Sequence, residues 1–535
     1  MSTDARAASA TTTGQNQLTH REVLIVFSGL MLGMLLAALD QTIVSTALPT
    51  IVGEFGGLQH LSWVITAYLL TSTASVPLYG KLSDLYGRKL LFQFAIAVFL
   101  AGSLLAGASQ SMLQLILFRG VQGLGGGGIM AMSMAIIGDI VAPRERGRYQ
   151  GYTGAVFAIS SVAGPLLGGL FTDHLTWRWV FYINMPLGIL ALVVTSMVLK
   201  LPHRRVKHRI DYLGSALMVA GVSCLLLVAS WGGTEYRWTS VQIIGLAVTG
   251  VIFVGLFLLQ EQQAAEPLLP LRLFGNRTFT VTSAIGLIVG ATMFGAIAFL
   301  PVYFQVVKGV SATSSGLRLI PLMLGLVASS IGSGRIISQT GRYRVFPIVG
   351  MAIVPVGLFL LSRLNATTGM LEMSAYMLIL GVGVGMVMQV LVLAAQNAVE
   401  YRDLGTATAN VNFFRSMGSA FGVAVFGSLL TNRLDYNLPR LLPATNSSAL
   451  SAGRLLGSSP AQLHALPAPV QHAAIQAFAM SLHTMYLWVV PMSVVGFALT
   501  WLLRDIPLRD TAHVGTDVRT EPAAIPVEPL SFEAP

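Results

Sequence analysis

The chain has 535 residues, of which 54% are hydrophobic and only 10% charged, with a mean hydropathy of +0.72. A water-soluble domain carries about 25% charged residues, so this composition excludes one. The net charge of +10 sits in short turns beside apolar runs, as orientation signals and anionic-lipid contacts do, and so argues for a bilayer and against nucleic acid as the partner.

Residues 1–21 are polar and read as a cytoplasmic N-terminal segment. The apolar stretch 23–51 is much longer than the roughly 7–15 residues of a cleaved signal core, so it predicts a spanning helix. The first half, 22–200, predicts further spans near 61–79, 90–108, 112–138, 148–171 and 178–199. A linker and an extra helix pair occupy 201–265, with cores near 212–231 and 241–260. The second half, 266–504, predicts spans near 279–305, 314–337, 345–362, 373–396, 405–430 and 481–503. Residues 431–478 read as a long extracytoplasmic loop, either a surface loop or a lid or docking element. Residues 505–535 are Pro-rich and acidic and read as a disordered cytoplasmic tail. The expected fold is an all-α membrane protein of fourteen transmembrane helices, two pseudo-symmetric six-helix halves with a central inserted pair.

Lys and Arg follow alternate spans: Lys81, Arg88 and Lys89 after the second, Arg144, Arg146 and Arg148 after the fourth, and a cluster from Lys200 to Arg209 after the sixth. The intervening turns are poor in them, so the positive-inside rule places both termini in the cytoplasm. Cys224, alone in an apolar run, excludes a disulfide framework or a thiolate zinc cluster.

The segment Gly80 to Lys89 is a charged hinge between two apolar runs. It returns in weaker form at Gly334, Gly341 and Arg342, each 254 residues after Gly80, Gly87 and Arg88, which points to a duplicated transporter. Gly80 and Gly87 allow close backbone approach, Asp84 suits a facing helix N-terminus, and Arg88 can reach a carboxylate across the turn. Together they predict a conformational latch; a solvated positive-inside turn is the plainer alternative. Ser338 replaces Asp84 in the second half, so the charged latch is not repeated.

Asp40 is a carboxylate inside an apolar run, where a charge costs about 2.5–3.5 kcal/mol on insertion scales. It must face a water-filled cavity, hold its proton, or find a partner, and each of these suits a proton carrier. A structural cap or pair is the alternative. Arg119 lies in another span and must also face the interior, as a companion or as a clamp on backbone carbonyls. Arg415, in Phe413-Phe414-Arg415, is a third buried charge, suited to an acidic partner, an anionic substrate group, or a structural role. Gly418 and Gly422 beside it form a face for close helix packing. Gly164, Pro165, Gly168 and Gly169 predict a kink and close approach in the fifth span. Gln41, Gln389, Gln396, Asn410 and Asn412 are candidates to line the substrate cavity, because amides avoid lipid. Phe294, Phe299, Phe304, Phe413 and Phe414, with Met130, Met134, Met293 and Met388, suit such a cavity or ordinary packing equally.

Leu39 to Val44 with Ala47-Leu48-Pro49, Gly80 to Lys89, Arg119-Gly120 with Gln122-Gly123, and Gly164-Pro165 with Gly168-Gly169 together resemble the motifs of the major facilitator superfamily. Trp63, Thr66, Ala67, Tyr68 and the central pair opening at Asp211 are similar to its fourteen-helix drug:proton antiporter branch, over roughly residues 22–505. The resemblance implies proton coupling at Asp40 and Arg119 and an antiporter signature at Gly164 to Gly169. Leu380 stands where the duplication would place a second Arg119, which implies that proton handling lies in the first half.

Gly123 to Gly128 fits a dinucleotide-loop pattern but lies inside an apolar run without the strand that pattern requires. The nine His are scattered, and no P-loop or H-E-x-x-H stands in the chain, so an enzyme, a cofactor and a metal are not expected. The expected function is proton-coupled export of an amphipathic, cationic or neutral compound through the bacterial inner membrane, with a periplasmic adaptor as a further partner. Export of one lipid or metabolite is the nearer rival, and a non-transporting sensor the remote one.

Overall fold

The computed structural model describes residues 20–55, 61–141, 143–198, 211–233, 236–264, 267–400, 403–442 and 467–508. The N-terminal segment through 19, the basic cluster 199–210, the loop centre 443–466 and the tail from 509 lie outside the described residues. Among those described, the architecture is helical, with a single isolated bridge between Gly232 and Tyr236.

The first half holds α1 (His20–Phe55), α2 (Leu61–Tyr86), α3 (Arg88–Gly107), α4 (Met112–Ile140), α5 (Pro143–His174), α6 (Trp179–Tyr182) and α7 (Asn184–Val198). The central pair is α8 (Tyr212–Trp231) and α9 (Val241–Gln263). The second half holds α10 (Arg277–Ile297), α11 (Leu300–Val306), α12 (Ala312–Leu317), α13 (Ile320–Thr340), α14 (Val345–Ser362), α15 (Met370–Asn397), α16 (Leu404–Leu441) and α17 (Ala468–Thr500). Polar side chains at the N-termini satisfy orphan backbone donors: Asp211 accepts from Gly214 N at 2.8 Å before α8, and Asn276 from Thr278 N at 3.0 Å before α10.

Two expectations change. The ten-residue hinge shrinks to Gly87 alone, because α2 runs on to Tyr86 and α3 starts at Arg88. Gly87 has φ 91° and Gly341, its equivalent after α13, has φ 70°, so both duplicated glycines take a positive φ that side chains disfavour, with only Gly341 in the left-handed helical region. The expected loop 431–478 is helical at both ends, since α16 continues to Leu441 and α17 begins at Ala468. Finally, eleven helical stretches among the described residues are long and apolar enough to cross a bilayer. A shorter apolar stretch, Leu213–Ala229, lies in α8. Of the remaining expected spans, α2 packs on α4 and α16, and α5 on α1 and α13.

Those contacts define the architecture. Within the first half, α1 packs on α5, and α4 on both α2 and α3; within the second, α10 packs on α16, and α15 on both α13 and α14. The halves meet along two exchanged seams, α2 with α16 and α5 with α13, as a pseudo-twofold relation requires. Glycines make the approach possible. A Cβ on Gly80 would lie 2.5 Å from Ala409 Cβ, and Gly418 and Gly422 bring α16 against the backbone of α10 at Leu287 and Ala291. The central pair breaks the symmetry, because α8 packs on α2 and α16 at one seam only. Its far end is fixed by a Trp63–Trp231 ring contact at 4.7 Å and by Trp238 Nε1 donating to Ser428 Oγ at 2.8 Å.

The ends of α4, α15 and α17 gather on one face with the starts of α10 and α16. There Asn397 donates to the carbonyls of Ile506 and Pro507, and Asn276 to that of Ala398. This is called the terminal face below. On the opposite face Glu54 at the end of α1 takes Trp177 Nε1 at 2.6 Å and Arg178 Nη1 at 2.9 Å.

Candidate functional site

Asp40 and Arg119 are each nearly sealed from solvent, at 0% and 2% exposure. A lone charge there would be prohibitive, and the structure answers with a closed polar cluster. Arg119 Nη1 meets Asp40 Oδ2 at 2.5 Å and Gln122 Oε1 at 2.8 Å. Gln122 Nε2 donates to Asp40 Oδ1 at 2.8 Å, and Asn184 Nδ2 donates to the same oxygen at 3.1 Å. Asn184 also donates to Ser103 Oγ at 2.9 Å, and Ser103 Oγ donates to the Phe181 carbonyl at 2.9 Å. The guanidinium stacks 4.3 Å from the Tyr68 ring centroid, and Arg119 Nε reaches the Val64 carbonyl at 3.4 Å.

Each member is positioned by local chemistry. Gln122 is one helical turn after Arg119 on α4, so both face α1. Gly123 lets α4 lie against the backbone of Tyr68 on α2. Asn184 stands at the break between α6 and α7, where Pro186 lacks the N–H that would bond the Tyr182 carbonyl. On the other side of α1, Thr42 Oγ1 donates to the Ser160 carbonyl of α5 at 2.9 Å, and Gly164 leaves the space that Thr42 fills. Gly164 thus packs against Thr42, two residues along α1 from Asp40. Gly168 and Gly169 follow on α5, their carbonyls accepting from Thr172. The side chains of Pro165 and Asp84 lie outside the described set.

Of the choices open to Asp40, the structure supplies the partner rather than an open cavity. Its neighbour Gln41 is exposed, so the helix passes from a sealed to an open face within one residue. Asn184 and Ser103 were not among the sequence candidates, and Gln122 was noted without a task. The available signal was Asn184-Met185-Pro186, an amide beside a helix breaker in an apolar run.

The latch residues divide. Arg88 Nε pairs with Asp139 Oδ2 at 2.9 Å and Arg88 Nη1 donates to the Ala135 carbonyl at 2.8 Å, which ties α3 to the end of α4 within the first half. Gly80 instead contacts the second half, through Ala409 and Gly405 on α16. Gln396 bridges the halves: its Nε2 donates to the Met134 carbonyl of α4 at 3.3 Å and to Thr408 Oγ1 of α16 at 3.0 Å. Gly138 packs against Gln396 and Leu404 at the same level. The terminal face is therefore closed along α4, α15 and α16.

Of the other second-half candidates, Gln389, Asn410 and Asn412 are buried and Arg415 is half-buried, and all four are incompletely satisfied. Both amide atoms of Gln389, the Oδ1 atoms of Asn410 and Asn412, and Arg415 Nη1 have no hydrogen-bond partner among the described residues. Leu380, in the place of Arg119, is fully buried in the apolar core, so the second half holds no counterpart of the Asp40 cluster there. Phe304 and Met388 join that core, and Met134 packs with Met34 and Val156.

The profile of the Major Facilitator Superfamily matches residues 30–423. An uncharacterised MFS-type transporter of Mycobacterium tuberculosis (strain H37Rv) is 44% identical over 489 residues, covering 91% of this chain and 70% of that protein. The multidrug transporter protein MdtP of Bacillus subtilis (strain 168) is 41% identical over 431 residues, covering 79% of this chain and 80% of that one. The human organic anion transporter MFSD10 (TETRAN) shares the fold, with a TM-score of 0.58 at 14% identity over 88% of this chain and 99% of its own. With its duplicated helical halves, exchanged seams and sealed charge pair, the chain belongs to the major facilitator superfamily of membrane transporters.

Proposed function

We propose that this protein exports amphipathic compounds in exchange for protons by alternating access. In this reading it has fourteen spans, and both termini face the cytoplasm of a bacterial inner membrane. The observation that carries the reading is the saturation of Asp40: both oxygens are occupied, by Arg119 on one and by Gln122 and Asn184 on the other. A proton arriving at Asp40 removes the charge that holds Arg119, so the cluster has two stable arrangements, paired and protonated. In the paired arrangement the carboxylate is sealed, so proton entry requires α1, α4 and α7 to part. That links protonation to a change in helix packing. The multidrug relative supports the substrate class, and the terminal-face closure through Gln396 supports a rocking cycle.

The test is transport of a fluorescent amphiphile by the full chain in proteoliposomes under an imposed pH gradient. Flux that follows the gradient and stops when a protonophore collapses it supports the exchange. Flux indifferent to the gradient overturns it.

A further inference from the structure

Asp40 offers a cationic substrate no free carboxylate oxygen, because both are already engaged and its charge is matched by Arg119. The second half presents the reverse. Arg415 lies eleven residues past Leu404 on α16, about 16 Å along the helix axis from the terminal face. That is near the middle of a hydrocarbon layer of about 30 Å. Its Nη1 is buried without a hydrogen-bond partner, and no described carboxylate pairs with it.

A second feature converges on the same place. Gln396 and Thr408 touch at the terminal-face end of α15 and α16. Those helices run in opposite directions, so seven residues back along α15 and seven forward along α16 both climb two turns, about 10.5 Å, on the same helix faces. The residues reached are Gln389 and Arg415. Gln389 is only 4% exposed, and neither its oxygen nor its nitrogen has a partner. A half-buried guanidinium with an unpaired Nη1 and an unmatched amide therefore stand at one height, over the floor that Gln396 closes.

We propose that Arg415, assisted by the Gln389 amide, recognises an oxyanion on the transported compound, so that the substrates are amphipathic molecules bearing a carboxylate, sulfonate or phosphate. This rests on the export reading above and replaces its expectation of a cationic guest. A planar guanidinium fork matches such groups geometrically, and a buried one lacking a counter-charge gains most from them. A lipid headgroup has the same chemistry, but the depth of Arg415 places the site beyond the headgroup layer and favours a diffusible substrate.

The test compares gradient-driven flux of 8-anilinonaphthalene-1-sulfonate and of ethidium through the reconstituted full chain, in phosphatidylcholine vesicles with and without phosphatidylglycerol. The expected result is sulfonate flux that falls about tenfold or more in Arg415→Gln and less in Arg415→Lys, with little ethidium flux in the wild type. Ethidium flux without sulfonate flux overturns the oxyanion assignment and leaves export standing. Flux of neither probe overturns both. A stabilising effect of phosphatidylglycerol that vanishes in Arg415→Gln, with sulfonate flux unchanged, assigns the site to lipid and overturns the substrate role. Should Arg415→Gln fail to fold, Gln389→Ala and Arg415→Lys must each raise KM for the sulfonate severalfold; unchanged KM in both overturns the inference.

Discussion

Gln396 of the second half donates its side-chain amide to the Met134 carbonyl of the first half at 3.3 Å. A neutral hydrogen bond contributes about 1 kcal/mol net, and a rocking equilibrium responds to that by roughly fivefold. Gln396→Ala is therefore expected to raise the terminal-face-open population about fivefold. Spin labels placed on the ends of α4 and α15 measure the distance distribution that checks it. A distribution identical to wild type removes Gln396 from the gate.

The Asp40–Arg119 pair carries an opposite expectation for single and double changes. Removing one member of a buried pair strands the other and costs about 3–5 kcal/mol, whereas replacing both is much milder. Arg119→Leu should lower the Tm of the detergent-solubilised protein strongly, and Asp40→Asn added to it should recover most of the loss. Additive losses in the thermal melts would mean that the two charges are not a coupled unit.

The repeated hinge glycines make a local prediction. A Cβ on Gly341 meets nothing within 4 Å, so Gly341→Ala pays only the left-handed backbone penalty of about 1–2 kcal/mol. Asn, which tolerates that region, should cost less. The ranking Gly, Asn, Ala in thermal stability checks the assignment, and an Ala variant as stable as wild type contradicts it.

Much of this was legible before the structure. The central pair and the span 345–362 begin and end where the apolar runs do, because lipid imposes one simple composition on them. The 254-residue offset paired Gly87 with Gly341, and both have positive φ in the structure. Asp40 and Arg119 were readable as companions because two opposite charges in apolar helices have few other solutions. Asn184 was less so, since its importance arises from a helix break that brings a distant amide onto Asp40. The role of Gln396 was likewise hidden: nothing in α15 alone says that its partner is a carbonyl on α4. The helical ends of the 431–478 loop escaped notice because Asn432, Arg433 and Asp435 break the apolar run on which the span was read.

The central claim is that Asp40 couples protons to export. The direct measurement is gradient-driven flux through proteoliposomes containing wild type or Asp40→Asn, set against gradient-free counterflow of the same probe. The account predicts that Asp40→Asn abolishes the response to the pH gradient while counterflow continues, because the uncharged amide can no longer gain or lose a proton. Gradient-driven flux preserved in Asp40→Asn would contradict it and place the coupling proton on another group.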